Sequence, residues 1–573
     1  MKRKILPVVL ALVLIIAAGA VLVGGYLAEK YSYSTERVDL AEHYGSSGQE
    51  RTIVLGDEVT EEKGIIRDGV CYFELSAAKR LFSEIFYADM GGEQLLYTTA
   101  TDTVKTGFGE KQYENCEGVT AVDYVTCYTE GGKVYVAADY VKQFVNFSYE
   151  TYDHHMLVYT AWGEAVKADA VKETALRQKG GIKSSILTDV SEGEALEILE
   201  PMETWCKVKN AQGIIGYVEN KLLGPEYTVQ ETPVTDVQTE EYTTRQLPVR
   251  VSMGWHSIGG PAGNDTLESM AGGCKGMNVI APTWFSMTDD MGSIRNFGQK
   301  SYVDRAHGMG LYVWGVLDNF NYANENDINI DEYAVLSSTA SRQNLVSNVV
   351  SQALQLGLDG INLDFEGLDS ACGPHYVQFL RELSVECRRE GMVFSIDNYV
   401  PFDFNTFYRL DIQGQIADYV IIMGYDEHWH NSGDPGSVAS IGYVTAGLDR
   451  TLEDVPAHKV VNALPFYTIL WKIQGADVTD DYVTMVNQPG LIGRNNLQPV
   501  WDEETCQNYA EWTSGNSTYR IWFEDSQSLM SKLNAMINRN IGGMAVWRLG
   551  YEDKNIWNLL NTYTSLPLNS TTP

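Results

Sequence analysis

The sequence predicts an α/β protein: a (β/α)8 TIM barrel preceded by a small mixed α/β domain, a small β-barrel domain and an N-terminal transmembrane helix. Three observations predict it. Residues 5–28 carry no charge. Residues 51–226 form short alternating stretches broken by Gly, Asp, Ser and Asn. The last 320 or so residues repeat an apolar strand followed by an amphipathic helix, the sequence form of a parallel barrel. With 573 residues the chain exceeds what a single hydrophobic core holds, so several domains are expected.

The elements follow in order. After "MKRK", a cytoplasmic tail over residues 1–4, the run "ILPVVLALVLIIAAGAVLVGGYLA" extends roughly 36 Å as a helix, enough to cross a bilayer. The basic residues lie on its short side, so the positive-inside rule puts the bulk of the chain outside the cytoplasm. Ala18-Gly19-Ala20 resembles a signal cleavage site, but the apolar run continues past it, which favours an uncleaved anchor over a removed signal. Residues 29–50 are polar and aperiodic, a stalk. Residues 51–162 contain "IIRDGVCYFELSAAKRLF" and "GGKVYVAADYVKQFVNFSYE", a pattern that resembles the copper amine oxidase N-terminal-like domain, without implying copper chemistry. Adjacent His154 and His155 point to opposite faces of a strand and are read as turn or surface residues. Residues 163–226, with "LRQ", "SEGEALEIL", "WCKV" and "GYVENKLL", resemble a bacterial SH3-like domain, in which Trp205 serves either core or binding. The Thr-, Glu- and Pro-rich stretch 227–246 is a linker. The barrel is assigned to 247–565 and a short tail to 566–573.

Composition narrows the function. The chain is 44% hydrophobic and 21% charged, a globular balance, and its 42 basic against 76 acidic residues give a net charge of −34. That charge repels nucleic acid and favours an electroneutral partner. The eight cysteines show neither a CxxC pair nor a Cys/His cluster of zinc spacing, so no metal or cofactor is implied. They are read as small buried residues, with a Cys116–Cys127 bridge as the alternative.

Within 247–565 the strand-like runs are "VRVSMGWHS", "MNVIAPTWFSM", "GLYVWGVLDNF", "DGINLDFEG", "MVFSIDNYV", "ADYVIIMGYDEHW", "KVVNALPFYTILW" and "GGMAVWRLGYED". A doubly wound open sheet also alternates strands and helices. It does not place polar and aromatic groups at the carboxyl ends of nearly every strand, where barrel active sites assemble. On the fourth run, Asn362, Asp364 and Glu366 share one face, with Glu366 at the mouth, and Asp359 lies near the strand start. Burying such charges is costly and needs a reason.

"DGINLDFE" resembles the DxxDxDxE signature of glycoside hydrolase family 18, the chitinase and β-N-acetylglucosaminidase family. Asp359, Asp364 and Glu366 match its first, third and catalytic positions, and Asn362 replaces the second Asp. "NVIAPTWFSM", "YVDRAHGMGLYVWG", "MGYDEHW" and "MAVWRLGYED" are most similar to the bacterial branch related to spore-cortex-lytic N-acetylglucosaminidases. The resemblance implies retaining hydrolysis in which the substrate's own acetamide attacks the anomeric carbon. Glu366 is then the acid and base, Asp364 orients the acetamide, and Tyr425 hydrogen-bonds its carbonyl. Asp359, Asn362 and Asp426 join the substrate-binding set, Met423 serves either substrate contact or core packing, Trp547 forms the floor under the reacting sugar, and Tyr467 on the seventh strand and Trp284 on the second are further candidates for either binding or structure.

The expected function is that of a membrane-anchored extracellular hydrolase of β-1,4-linked, N-acetylglucosamine-containing glycan. The polymer is peptidoglycan by the company of anchor, stalk and SH3-like module. Chitin or its oligosaccharides are the alternative substrate, and a non-catalytic glycan-binding protein is the alternative class.

Overall fold

Eight parallel strands close on themselves: β1 Val251–His256, β2 Val279–Met287, β3 Tyr312–Asp318, β4 Gly360–Asp364, β5 Val393–Tyr399, β6 Tyr419–Met423, β7 Val460–Pro465 and β8 Gly543–Trp547. Each pairs in parallel with its neighbours, and β8 pairs with β1 to complete the ring. The computed structural model describes residues 5–233, 237–238, 241–320 and 330–567. The expected cytoplasmic tail, part of the linker and most of the C-terminal tail lie outside the described residues.

The barrel closes because its strands are buried on both faces. All six residues of β1, all five of β4 and all five of β6 are buried, the continuous apolar pattern of a sheet covered by helices. Trp255, Trp284 and Trp314 fill the core. Helices such as Thr339–Leu356 and Gly373–Arg389 cover the outside, the first capped by Ser338 at its start and by Gly357 at φ +79° at its end.

The run "KVVNALPFYTILW" does not form one strand. It divides after Pro465, and Tyr467–Gln474 belongs to a separate antiparallel sheet inserted between β7 and β8. In that sheet the strand order is 477–484, 467–474, 517–523, 507–514, 500–502. Its strands are mostly half-buried or exposed and carry many polar residues, so they lack the apolar signature of barrel strands. Tyr467 therefore stands at the head of the inserted sheet and not on the seventh barrel strand.

Residues 89–105 group with the barrel and not with the preceding residues. Thr339 N donates to Asp89 Oδ2 at 2.8 Å and Gln378 Nε2 to Thr98 Oγ1 at 2.9 Å. Beneath them Arg342, fully buried, donates to both oxygens of Glu382 at 3.2 Å, while its remaining donors reach Leu336 O and Thr339 Oγ1.

The other unit spans 1–88, 106–114 and 118–239. It contains two seven-stranded sheets, one drawn from residues 50–159 and one from residues 164–230. Tyr227–Gln230 pairs with Glu164–Asp169, so the second sheet continues into the stretch expected as linker. His155 is buried, stacked between Tyr44 and Tyr152 and bonded to Gln212 O at 2.6 Å; it is not the turn or surface residue expected from its pairing with His154. All eight cysteines are free, and the Cys116–Cys127 alternative is not formed. The helix Ile5–Tyr31 is long and apolar enough to cross a membrane, and its side chains pack against no core.

A buried ion pair broken on one side leaves an uncompensated charge, so Arg342→Ala should cost about 3–5 kcal/mol. Chemical denaturation of the variant against the parent measures it, and a loss under about 1 kcal/mol would mean that Glu382 is relieved by other donors.

Candidate active site

The site grows from the end of β4. Side chains alternate along the strand, so Asn362, Asp364 and Glu366 rise in steps along the barrel interior toward its open end. Asn362 is completely buried. Its Oδ1 accepts from Trp255 Nε1 at 2.9 Å, and its Nδ2 donates to Asp397 Oδ1 at 2.8 Å and to Ser395 Oγ at 3.1 Å.

Above that amide lies a layer of acids. Register pairs Asp318 of β3 with Asp364 of β4, and β5 brings Asp397 alongside. Burial raises the Asp364 carboxyl well above its ordinary range, and the charges of Glu366, Asp397 and Asp318 add to that. Burial likewise raises Asp397 well above it, against the hydrogen bond from Asn362. Asp318 is pushed up to about 7 by burial, while its bonds to Ser286 and to Phe320 N pull the other way.

Glu366 sits at the rim, ringed by protein yet reachable from outside. Burial raises its carboxyl, and the charge of Asp426 adds to the rise; hydrogen bonds from Tyr399 and Asp364 offset part of it. Its backbone is held on both sides by one side chain: Glu366 N donates to Asn319 Oδ1 at 2.9 Å and Asn319 Nδ2 donates to Glu366 O at 2.8 Å. The following loop hangs from two tyrosines, with Gly367 N donating to Tyr399 Oη at 3.1 Å and Leu368 N to Tyr408 Oη at 3.2 Å.

Beyond β6, Gly424 passes Asn462 so closely that a Cβ there would lie 2.7 Å from its Oδ1. That close approach lets Tyr425 turn into the site, where its ring is buried and burial raises its hydroxyl. Asp426 takes the left-handed conformation, φ +59°, which an Asp tolerates better than most residues. It stays accessible at the mouth, although the surrounding walls thin its solvent and raise its carboxyl; the Tyr467 hydroxyl donates to it. Met423 is buried at the end of β6. Trp547, half-buried at the end of β8, meets Trp255 edge-on with centroids 5.9 Å apart, and the Trp547–Arg548 peptide is cis.

The structure thus brings Asn362, Asp364, Glu366, Tyr425, Asp426, Tyr467 and Trp547 to one end of the barrel. Two expected residues are elsewhere. Asp359 lies before β4 at the opposite end, where its Oδ2 accepts from Val313 N at 2.8 Å and pairs with His307; it ties β3 to β4 and faces no cleft. Trp284 is fully enclosed, its Nε1 donating to Asn264 Oδ1 at 2.9 Å and its ring edge-on to Tyr302, so it offers no surface to a sugar.

Sequence reasoning missed Asp318, Asn319, Asp397, Tyr399 and Tyr408. The signal was present: "VLDNF" and "SIDNY" each end an apolar strand with an acid, as "NLDFE" does. Among the described residues no group of three or more His, Cys, Asp and Glu side chains is arranged to hold a metal ion.

Two parts of the chain match known families. Residues 326–552 match the family described as glycosyl hydrolases family 18, and residues 172–224 match the bacterial SH3 domain. The uncharacterized glycosylase YvbX of Bacillus subtilis is 23% identical over 306 residues, covering 50% of this chain and 85% of that one. The cortical fragment-lytic enzyme of the same organism is 28% identical over 242 residues, 40% of this chain and 54% of that enzyme, so the chain spans about half of its length. The crystal structure of the Bacillus cereus spore cortex-lytic enzyme SleL shares the fold, with a TM-score of 0.50 at 20% identity over 60% of this chain and 78% of that one. The chain carries a family 18 glycosyl hydrolase domain and a bacterial SH3 domain.

Because the folded state holds a proton on Asp318 up to about pH 7 and the unfolded chain releases it near pH 4, this group's contribution to stability falls as pH rises between those values. Asp318→Asn mimics the protonated acid and escapes the loss. Its stability relative to the parent should therefore rise by about 2–3 kcal/mol between pH 5 and pH 8, as measured by urea unfolding at both; no change would mean that Asp318 is ionised throughout.

Proposed function

We propose that the chain, as the bearer of a family 18 glycosyl hydrolase domain, is a membrane-anchored extracellular enzyme cleaving β-1,4 bonds after N-acetylglucosamine in peptidoglycan, with retention. The observation that carries the reading is the hydrogen-bonded pair of buried carboxyls, Asp364 and Glu366, at the open end of the barrel, both held above their ordinary range.

The chemistry follows from that pair. Glu366, kept protonated by burial and by the charge of Asp426, supplies a proton to the glycosidic oxygen as the bond breaks. The substrate's acetamide oxygen attacks the anomeric carbon, and the ionised Asp364 receives the acetamide N–H and balances the positive charge of the cyclic intermediate. The Tyr425 hydroxyl steadies the acetamide oxygen. Glu366, now a carboxylate, takes a proton from the incoming water, and the ring opens with the original configuration. Tyr399 matters in the second half, because its hydrogen bond favours the charged form of Glu366. Trp547 gives the reacting sugar an apolar face to lie on.

The wall polymer is favoured over chitin by the company of the domain. An apolar helix precedes it and a bacterial SH3 domain accompanies it. These features support an anchored enzyme working against a bacterial envelope, and the likeness to a cortical fragment-lytic enzyme favours the same reading.

Glu366→Gln should abolish hydrolysis of purified peptidoglycan, by about a thousandfold or more, with glycan binding kept. Mass spectrometry of the products should find N-acetylglucosamine at the new reducing end. Undiminished hydrolysis rejects the assigned acid, and release from chitin alone replaces the wall polymer by chitin. A thiazoline analogue of N-acetylglucosamine should inhibit competitively; failure to inhibit counts against assistance by the acetamide.

A further inference from the structure

Two buried carboxylate oxygens near the site have no hydrogen-bond partner: Asp364 Oδ1 and Asp397 Oδ2. They belong to side chains on adjacent strands, β4 and β5, whose register places Asn362 opposite Ser395 and therefore Asp364 level with Asp397. Adjacent strands lie about 4.8 Å apart, within reach of a short bond between two carboxyls of the same layer. Asp397 Oδ1 already accepts from Asn362, and the Asp364 carboxyl is also in hydrogen-bond contact with Glu366.

Two unpartnered acceptors on side chains of one layer are satisfied together by a single proton held between them. As carboxylates both would lack a donor in a space that water does not reach, and would repel each other. The donor cannot come from the residue below, because both hydrogens of the Asn362 amide are already given to Asp397 Oδ1 and Ser395. We propose that Asp397 is a positioning residue of the hydrolase, sharing one proton between its Oδ2 and Asp364 Oδ1 and so holding Asp364 in place for the acetamide.

Among the described residues, the titratable groups coupled to Asp397 are Asp364 and Glu366 on and just beyond β4, Tyr376 from the helix Gly373–Arg389 and Tyr425 after β6, all of them acids, while the neutral Asn362 amide donates to its Oδ1. The direction of its titration, well above the ordinary carboxyl range, agrees. In the reaction the proton is neither consumed nor released. It remains with Asp397 as Asp364 turns its charge to the acetamide, and the proton delivered to the leaving oxygen is that of Glu366. The inference rests on the proposed hydrolysis only for its catalytic consequence; the shared proton itself is a property of the resting protein.

The test has two arms on the full chain in detergent. In the first, infrared difference spectra without substrate compare the parent, Asp397→Asn and Asn362→Asp/Asp397→Asn at neutral pH, using carboxyl-labelled aspartate. The difference between parent and single variant, in which the Asp318 signal common to both cancels, should contain a protonated-carboxyl band, and the double variant, which returns an acid one layer below, should restore it. A band unchanged in Asp397→Asn overturns the proposal. In the second, turnover of a fluorogenic chitobioside is measured. Asp397→Asn, whose amide still donates to Asp364, should keep kcat within about threefold, while Asp397→Ala should lose about thirtyfold or more with KM little changed. Equal kcat in Asp397→Ala and the parent also overturns it. A parent that hydrolyses no glycan defeats the functional reading but leaves the infrared arm to decide on Asp397.

Discussion

The Asn362 amide is the contact on which the site depends. One side chain accepts from an indole and donates twice, so it joins β1, β4 and β5 at the level just below the acids. Only a carboxamide, with an acceptor at one end and two donors at the other, makes those three bonds at once. An ionised aspartate in its place would lose both donors and put a negative charge directly beneath a layer that already holds Asp318, Asp364 and Asp397. The same residue is linked through Trp255 to Trp547, whose rings meet edge-on. Trp547 and the acid layer are thus fixed to one another through a single buried amide.

The inserted sheet is the second support. Its first residue, Tyr467, donates to Asp426, its Trp471 donates to Gly436 O at 2.8 Å, and Asp480 pairs with His430 while accepting from Asn431 N at 2.9 Å. Ser437 is bonded to Gln507 of the same sheet. The loop after β6, which carries the left-handed Asp426, is therefore shaped from outside the barrel. Strain at that residue is tolerable because neighbours on another sheet over-determine it.

Much of this was legible in the sequence, for a physical reason. Strands buried on both faces must be apolar throughout, so the acids of "INLDFE" stand out against their surroundings, and strand alternation puts three polar residues on one face. The resemblance then supplied their roles. What stayed hidden depends on register between strands. Nothing in "SIDNY" alone says that Asp397 lies level with Asp364 or that Tyr399 reaches Glu366, because both facts need the pairing of β4 with β5. Asp359 and Trp284 failed for the same reason in reverse: sequence position marked them, and depth along or behind the barrel decided otherwise. The inserted sheet escaped because its polar, half-exposed strands look like loops beside the barrel's continuous apolar runs.

The acid at the rim shows why the arrangement needs so many charged neighbours of one sign. A proton donor that burial alone had raised would be equally reluctant to serve as the base of the second step. Glu366 is instead balanced: burial and Asp426 favour its neutral form, while Tyr399 and Asp364 favour its charged form. The Tyr399 hydroxyl donates from a fixed position, and the opposing charge of Asp426 is itself restrained by Tyr467. In the proposed hydrolysis neither of these two has to move for Glu366 to change state, so a rigid barrel end would carry one proton out and another back. That rigidity in turn requires the backbone of Glu366 to be held on both sides, which is the work of Asn319 from the neighbouring strand end.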